Sequence, residues 1–189
     1  DESGTFILSS KDLCMIQHIP ELVHAGIAAW KIEGRMKSPY YVAAVTRIYR
    51  EALDRYFADP HGYAYDPKWL LELEKVSHRE YGTGFFSGNQ GYNSQTTHPG
   101  TIYIKEYDYL GMINKVLSND VAEVLVKNKI LGNTSIEIMG RRLSEDFTQV
   151  LFDLRNEYNE SIKTAHVGQK VRIKMSRPVH KYFMLRKCG

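Results

Sequence analysis

A chain of 189 residues with 43% hydrophobic content is the size and composition of a globular protein with one large domain or two small ones. No apolar run approaches the roughly 20 residues that a membrane-spanning helix needs, and the acidic, polar start Asp1-Glu2-Ser3-Gly4 is not a secretory signal. Two distant cysteines, Cys14 and Cys188, make no disulfide framework, so a reducing cytoplasm is the expected compartment.

The formal charge of +3 is unevenly spread. Residues 1–99 carry 10 Lys+Arg against 12 Asp+Glu, whereas residues 100–189 carry 15 against 10. From Lys170 onward there are seven basic residues and no acidic one. Such asymmetry suits a polyanion partner for the C-terminal part, with Lys170, Arg172, Lys174 and Arg177 as the first candidates. Lysines that protect sheet edges from pairing with other chains explain the charge equally well.

In chain order, Thr5–Leu8 reads as a short buried strand. Ser10 is placed to cap a helix from about Lys11, with Asp12 in its first turn. Pro20 interrupts that helix or starts a second one, and Gly26 is a C-terminal cap. Ile27–Ile32 reads as a second buried strand. Ser38-Pro39 then opens a long helix, Ser as N-cap and Pro at the first helical position. In this helix Tyr41, Val45, Ile48, Tyr49, Ala52, Leu53 and Tyr56 recur at helical spacing, while Arg47, Arg50, Glu51, Asp54 and Arg55 take the other face. Asp59-Pro60 and Gly62 end it, and Pro67 starts a further helix through Trp69, Leu70, Leu73 and Val76. The β-α-β-α order implies part of a parallel α/β domain over residues 1–80, too short to close a (β/α)₈ barrel of about 250 residues.

Residues 81–99 are rich in Gly, Asn and Ser and form the expected linker. Beyond them the pattern has period two. Strands are expected over 101–107, 111–117, 121–126, 135–139, 149–154, 170–175 and 180–185, with turns at Asn119-Asp120 and Gly132-Asn133. Many short strands at close spacing suggest a small antiparallel β-barrel over 100–189. The fold class is therefore α+β overall.

The stretch Lys31-Ile32-Glu33-Gly34-Arg35-Met36-Lys37 lies between strand Ile27–Ile32 and the helix opened by Ser38-Pro39, where α/β proteins place chemistry. Glu33 and Arg35, two apart on a strand end, point to one side. Arg35 and Lys37 beside a helix N-terminus make an anion site. A solvated turn or a structural Glu33–Arg35 ion pair fits the same residues. Protease chemistry has little support: there is no His-Glu-x-x-His and no Gly-x-Ser-x-Gly. Tyr103, Tyr107, Tyr109, Tyr182 and Phe183 lie among basic residues and are either base-stacking or barrel-filling aromatics. Cys14 on its own reads as a small buried hydrophobe.

Ser10-Lys11-Asp12-Leu13-Cys14, His18-Ile19-Pro20-Glu21-Leu22, Lys31 through Lys37, Tyr40-Tyr41-Val42-Ala43, Ser77-His78-Arg79-Glu80-Tyr81 and Thr83-Gly84-Phe85 resemble, in order, the collagenase-like U-thirty-two peptidase family. Pro178-Val179 and Met184-Leu185-Arg186 are similar to its closing segment. The resemblance implies a truncated TIM-barrel-like remnant, followed by a barrel like the second domain of translation elongation factors. It also implies a longer N-terminal catalytic half, with a cysteine-bearing segment, that nothing in this sequence matches. Relatives that hydroxylate RNA or a quinone precursor carry an iron–sulfur cluster on four cysteines. The resemblance matches Cys14 to the last of these, so the fragment alone would hold no cofactor. It offers Glu33, Arg35 and Lys37 for an acidic organic substrate or an RNA phosphate. The expected function is a contribution to hydroxylation of tRNA uridine or rRNA, with the barrel as the RNA-binding module. The alternatives are a peptidase acting on collagen-like or unfolded protein and a non-catalytic interaction module. The expected partners are RNA, such protein substrates and the missing half of the chain, but no membrane.

Overall fold

The computed structural model describes residues 10–88 and 103–188. The expected strand Thr5–Leu8, the start of the strand at 101 and the end of the linker lie outside them. The chain divides into two compact units, Asp1–Glu106 and Tyr107–Gly189.

In the first unit, β1 (Asp12–Leu13) pairs in parallel with β2 (Tyr81–Gly82). The helix expected from Lys11 does not form. Asp12 N–H donates to the Glu80 carbonyl and Cys14 N–H to the Gly82 carbonyl, both at 2.9 Å, so a long-range ladder overrides the local helix signal. A 3₁₀ turn (Ile16–His18) leads into α1 (Ile19–His24), with Pro20 in its first turn, and Gly26 follows at φ +69°. The left-handed backbone after the helix is the conformation glycine adopts without strain.

Residues 27–32 form no strand: they are irregular, with Ile27 and Ile32 exposed. An apolar run becomes a buried strand only when neighbouring strands cover its backbone, and no described residue pairs with it. Among the described residues, the α/β reading of the first unit thus rests on a single short parallel pair.

Helix α2 (Pro39–Ala58) follows the sequence reading closely. Ser38 Oγ accepts from Tyr41 N–H at 3.2 Å, and Pro39 occupies the first turn. Its buried face is Tyr40, Ala44, Val45, Ile48, Ala52 and Tyr56. Arg47, expected on the polar face, is also buried, because Glu72 of α3 (Pro67–Glu74) meets it at 2.5 Å and Lys75 meets Glu72 at 2.6 Å. A charge of this kind enters a helix interface only with a partner. Asp66 caps α3 by accepting from Lys68 N–H at 3.0 Å. Trp69 is fully buried and Tyr63 stacks on it, ring centroids 6.1 Å apart. Burial pushes the Tyr63 phenol up to about 12.

The second unit is a curled antiparallel sheet of seven strands. These are β3 (Tyr107–Ser118), β4 (Val121–Val126), β6 (Ser135–Met139), β7 (Phe147–Val150), β8 (Leu154–Arg155), β10 (Lys170–Lys174) and β11 (Met184–Cys188), in the order β7-β6-β11-β3-β4-β10-β8. A small pair, β5 (Ile130–Leu131) with β9 (Thr164–Ala165), was not anticipated. The expected strand 149–154 is split at residues 151–153, and the strand expected at 180–185 begins at Met184. The inward row is Leu110, Ile113, Val124, Val126, Ile136, Ile138, Val171, Ile173 and Leu185, all nearly inaccessible. Period-two alternation places these on one face and leaves Glu123, Lys170, Arg172 and Lys174 on the other. Edge strands β7 and β8 are joined by three residues, so the sheet wraps into a half-barrel.

Candidate functional site

The first unit contains a cleft of about 510 Å³. Met15 and Leu22 form one wall, Trp30–Glu33 a second, and Tyr41, Val45, Tyr49 and Leu53 of α2 the third, with Asp12, Lys37 and Arg50 adding charge. Apolar walls with a few converging charged groups suit a small polar ligand.

Two of the three loop candidates, Glu33 and Lys37, line this cleft, and Arg35 does not. Glu33 is exposed: its carboxylate accepts from Arg35 N–H at 3.0 Å and lies 3.5 Å from Lys31 Nζ. The Arg35 N–H bond, then the Lys31 charge, hold that carboxyl below its usual range. Neither interaction involves the Arg35 guanidinium, which is exposed and outside the cleft lining. Lys37 is tied into the unit. Its ammonium donates to the Ser77 carbonyl (3.2 Å), lies 3.6 Å from Asp12 and sits over the rings of Tyr103 (4.4 Å) and Tyr41 (5.0 Å). Tyr103, a stacking candidate by sequence, is therefore engaged by Lys37 and, at 5.5 Å, by Arg79.

Cys14 is half-buried beside Tyr49, whose hydroxyl accepts from Met15 N–H (2.8 Å) and lies 4.0 Å from the sulfur. Burial pushes the thiol above its ordinary range, and the nearby Glu74 charge adds to this. Burial likewise raises the phenols of Tyr41, Tyr49 and Tyr81. Among the described side chains Cys14 offers one thiol, so a four-cysteine cluster does not fit this chain by itself. His78 is buried and stacked on Tyr81, ring centroids 4.2 Å apart.

In the second unit, Lys170, Arg172 and Lys174 alternate along β10 on the outward face. Arg172 heads a row that crosses four strands. Its Cα partners are Glu123 on β4 and Arg155 on β8, and Glu123 in turn faces Lys115 on β3. Glu123 accepts from Asn114 Nδ2 at 2.6 Å, and Arg155 is held by Asp153 at 2.8 Å. Lys174 lies 3.7 Å from Asp120. Arg177 sits in the following loop, its guanidinium 5.6 Å from the Phe147 ring centre. Sequence reasoning missed Lys115 and Arg155, because only the strand register brings them beside Arg172.

The aromatics sort clearly. Phe183 is in the core, Tyr109 is half-buried with its phenol raised by desolvation, and Tyr107 lies 5.5 Å from the Arg186 guanidinium. Tyr182 is exposed.

Residues 1–96 match the model of peptidase family U32, and residues 105–186 match that of the peptidase family U32 C-terminal domain. The chain belongs to peptidase family U32. Similar U32 relatives include the tRNA hydroxylation protein P1 of Bacillus subtilis, 34% identical over 190 residues, with 99% of this chain and 44% of the relative covered. The tRNA hydroxylation protein P of Escherichia coli is 34% identical over 165 residues, covering 87% and 35%. A collagenase of Porphyromonas gingivalis is 27% identical over 180 residues, covering 95% and 49%. The chain thus spans less than half the length of these relatives. Among solved structures, the C-terminal domain of a Geobacillus thermoleovorans protein assigned to the U32 peptidases aligns with a TM-score of 0.40 at 27% identity. It covers 43% of this chain and 93% of that one. No helix among the described residues is long and apolar enough to cross a membrane.

Proposed function

We propose that this chain is the C-terminal part of a U32 protein that takes part in tRNA hydroxylation, and that its curled sheet contacts the RNA backbone. The observation that carries the reading is the outward face of β10. There Lys170, Arg172 and Lys174 stand on one strand, with Lys115 and Arg155 in the Arg172 row and Glu123 as its acid. Such a face meets phosphates by charge and shape, without reading base edges. Several relatives named as tRNA hydroxylation proteins support the same reading.

In the whole protein, the cleft lined by Lys37 and Glu33 would hold the small acidic co-substrate, and the exposed Arg35, outside that lining on the same loop, would meet an anion at the surface. Cys14 would give one thiolate to an iron–sulfur cluster whose other ligands lie outside these residues. Replacing Cys14 with Ala in the anaerobically purified full-length protein should lower bound iron and sulfide, and unchanged iron would return Cys14 to a packing role. The similarity to a collagenase supports a second reading, in which unfolded protein is the substrate. Titration of this chain with transfer RNA across a salt series, beside a gelatin-cleavage assay, separates the two.

A further inference from the structure

Only three non-glycine residues among those described have positive φ: Asn133, Asn159 and Tyr182, at +60°, +68° and +75°. Asparagine tolerates this region because its short polar side chain bonds locally. A tyrosine there is a strained choice, made where glycine or asparagine would fit with less cost. The strain serves no core, because Tyr182 is 63% exposed while its neighbour Phe183 points into the barrel at 3%. Strain held on an exposed aromatic is the kind of outlier from which a binding role is inferred.

The surroundings indicate the ligand. Lys181 Nζ lies 4.8 Å from the Tyr182 ring centre. The loop from Ser176 to Phe183 also carries Arg177 and His180 and contains no acidic residue. The backbone ties Tyr182 to the strand that carries the end of the cationic row: Tyr182 N–H donates to the Ile113 carbonyl at 2.8 Å, and the next residue on that strand, Asn114, donates to Glu123 of the Arg172 row. An exposed aromatic ring with an ammonium beside it, in a basic loop, is the arrangement on which unpaired bases stack.

We infer that Tyr182 is a stacking platform for one unpaired base of a single-stranded RNA segment whose backbone runs over the Arg172 row. This rests on the RNA reading above and adds to it the strandedness of the RNA and the residue that selects it. The test uses the 189-residue chain and fluorescence anisotropy with a short oligouridylate and with a duplex of equal length, at one moderate salt concentration. Tyr182→Ala should weaken single-strand binding by roughly five-fold or more, the loss of one stacked base, and leave duplex binding within about two-fold. Tyr182→Phe keeps the ring and should bind as wild type. Tyr182→Gly should lose the same affinity without a lower thermal midpoint, because it relieves the strained φ. A Tyr182→Ala chain that binds the single strand as wild type does overturns the inference and leaves the RNA reading standing. Equal losses on single strand and duplex also overturn it. A wild-type chain that binds neither at low salt overturns both.

Discussion

Gln149 and Lys174 join the two ends of the curled sheet without a backbone ladder. Gln149 Nε2 donates to the Lys174 carbonyl at 2.8 Å, and Gln149 Oε1 accepts from Ser176 N–H at 2.8 Å. Gln149 lies on β7, one edge of the sheet. Lys174 ends β10, next to the opposite edge strand β8, which has only two residues. One side-chain amide therefore does the work of two ladder bonds at a seam that no described strand reaches across.

Replacing Gln149 with Ala should open this seam at the cost of both bonds, about 1–2 kcal/mol for a partly exposed pair. Gln149→Glu keeps the acceptor but removes the donor, so it should lose about half as much. Urea denaturation of the chain checks both. A Gln149→Ala midpoint equal to wild type would mean that the seam is held elsewhere.

Arg186 is fully buried on β11, with Nη2 2.7 Å from Glu137 and 3.9 Å from Asp146, and Nη1 3.7 Å from the Met139 sulfur. Arg186 and Glu137 are also cross-strand Cα partners. Removing one member of a buried pair leaves the other charge without compensation. Glu137→Ala is therefore expected to cost about 3 kcal/mol or more by equilibrium denaturation. The double variant Arg186→Met with Glu137→Met should recover much of this. A Glu137→Ala loss below about 1 kcal/mol would show that Asp146 suffices as partner.

Burial raises the Cys14 thiol, so the folded chain holds it neutral at pH values where an unfolded chain ionises it. The sign follows from linkage. The contribution is complete below the unfolded pKa of about 8.5, and it is lost as pH rises from there through the higher folded value. In a Cys188→Ser background, iodoacetamide should alkylate Cys14 far more slowly in the folded chain than in urea at about pH 8, and the difference should shrink at higher pH. Equal rates in the two conditions would contradict the burial.

What could be read from sequence depended on how local its cause was. Helix α2 was legible because its start is set by Ser38 and Pro39 and its face by spacing alone. Asp12–Leu13 was misread as helical because its partner, Tyr81–Gly82, is remote in sequence. Ile27–Ile32 has the composition of a strand but no described partner to pair with. Arg47 looked solvated because helical period cannot show that α3 brings Glu72 against it. The alternation of Lys170, Arg172 and Lys174 was legible as one face of a strand. That Lys115 and Arg155 share the Arg172 row, and that Tyr182 is exposed at a positive φ, depends on register and backbone angle, which composition does not encode.

The proposed binding of RNA by the β10 face is tested most directly by the salt dependence of transfer RNA affinity. Neutralising phosphates releases counterions, so log affinity should fall linearly with log salt, and the slope reports how many phosphates are neutralised. The chain should bind transfer RNA with a dissociation constant on the order of micromolar at moderate salt. Replacing Lys170, Arg172, Lys174 and Arg177 with Gln should weaken binding and flatten the slope by roughly three units, about 0.7–0.9 for each phosphate no longer neutralised. No binding at low salt, or a quadruple variant with the affinity and slope of wild type, would contradict the account and leave the basic face as a solvated surface.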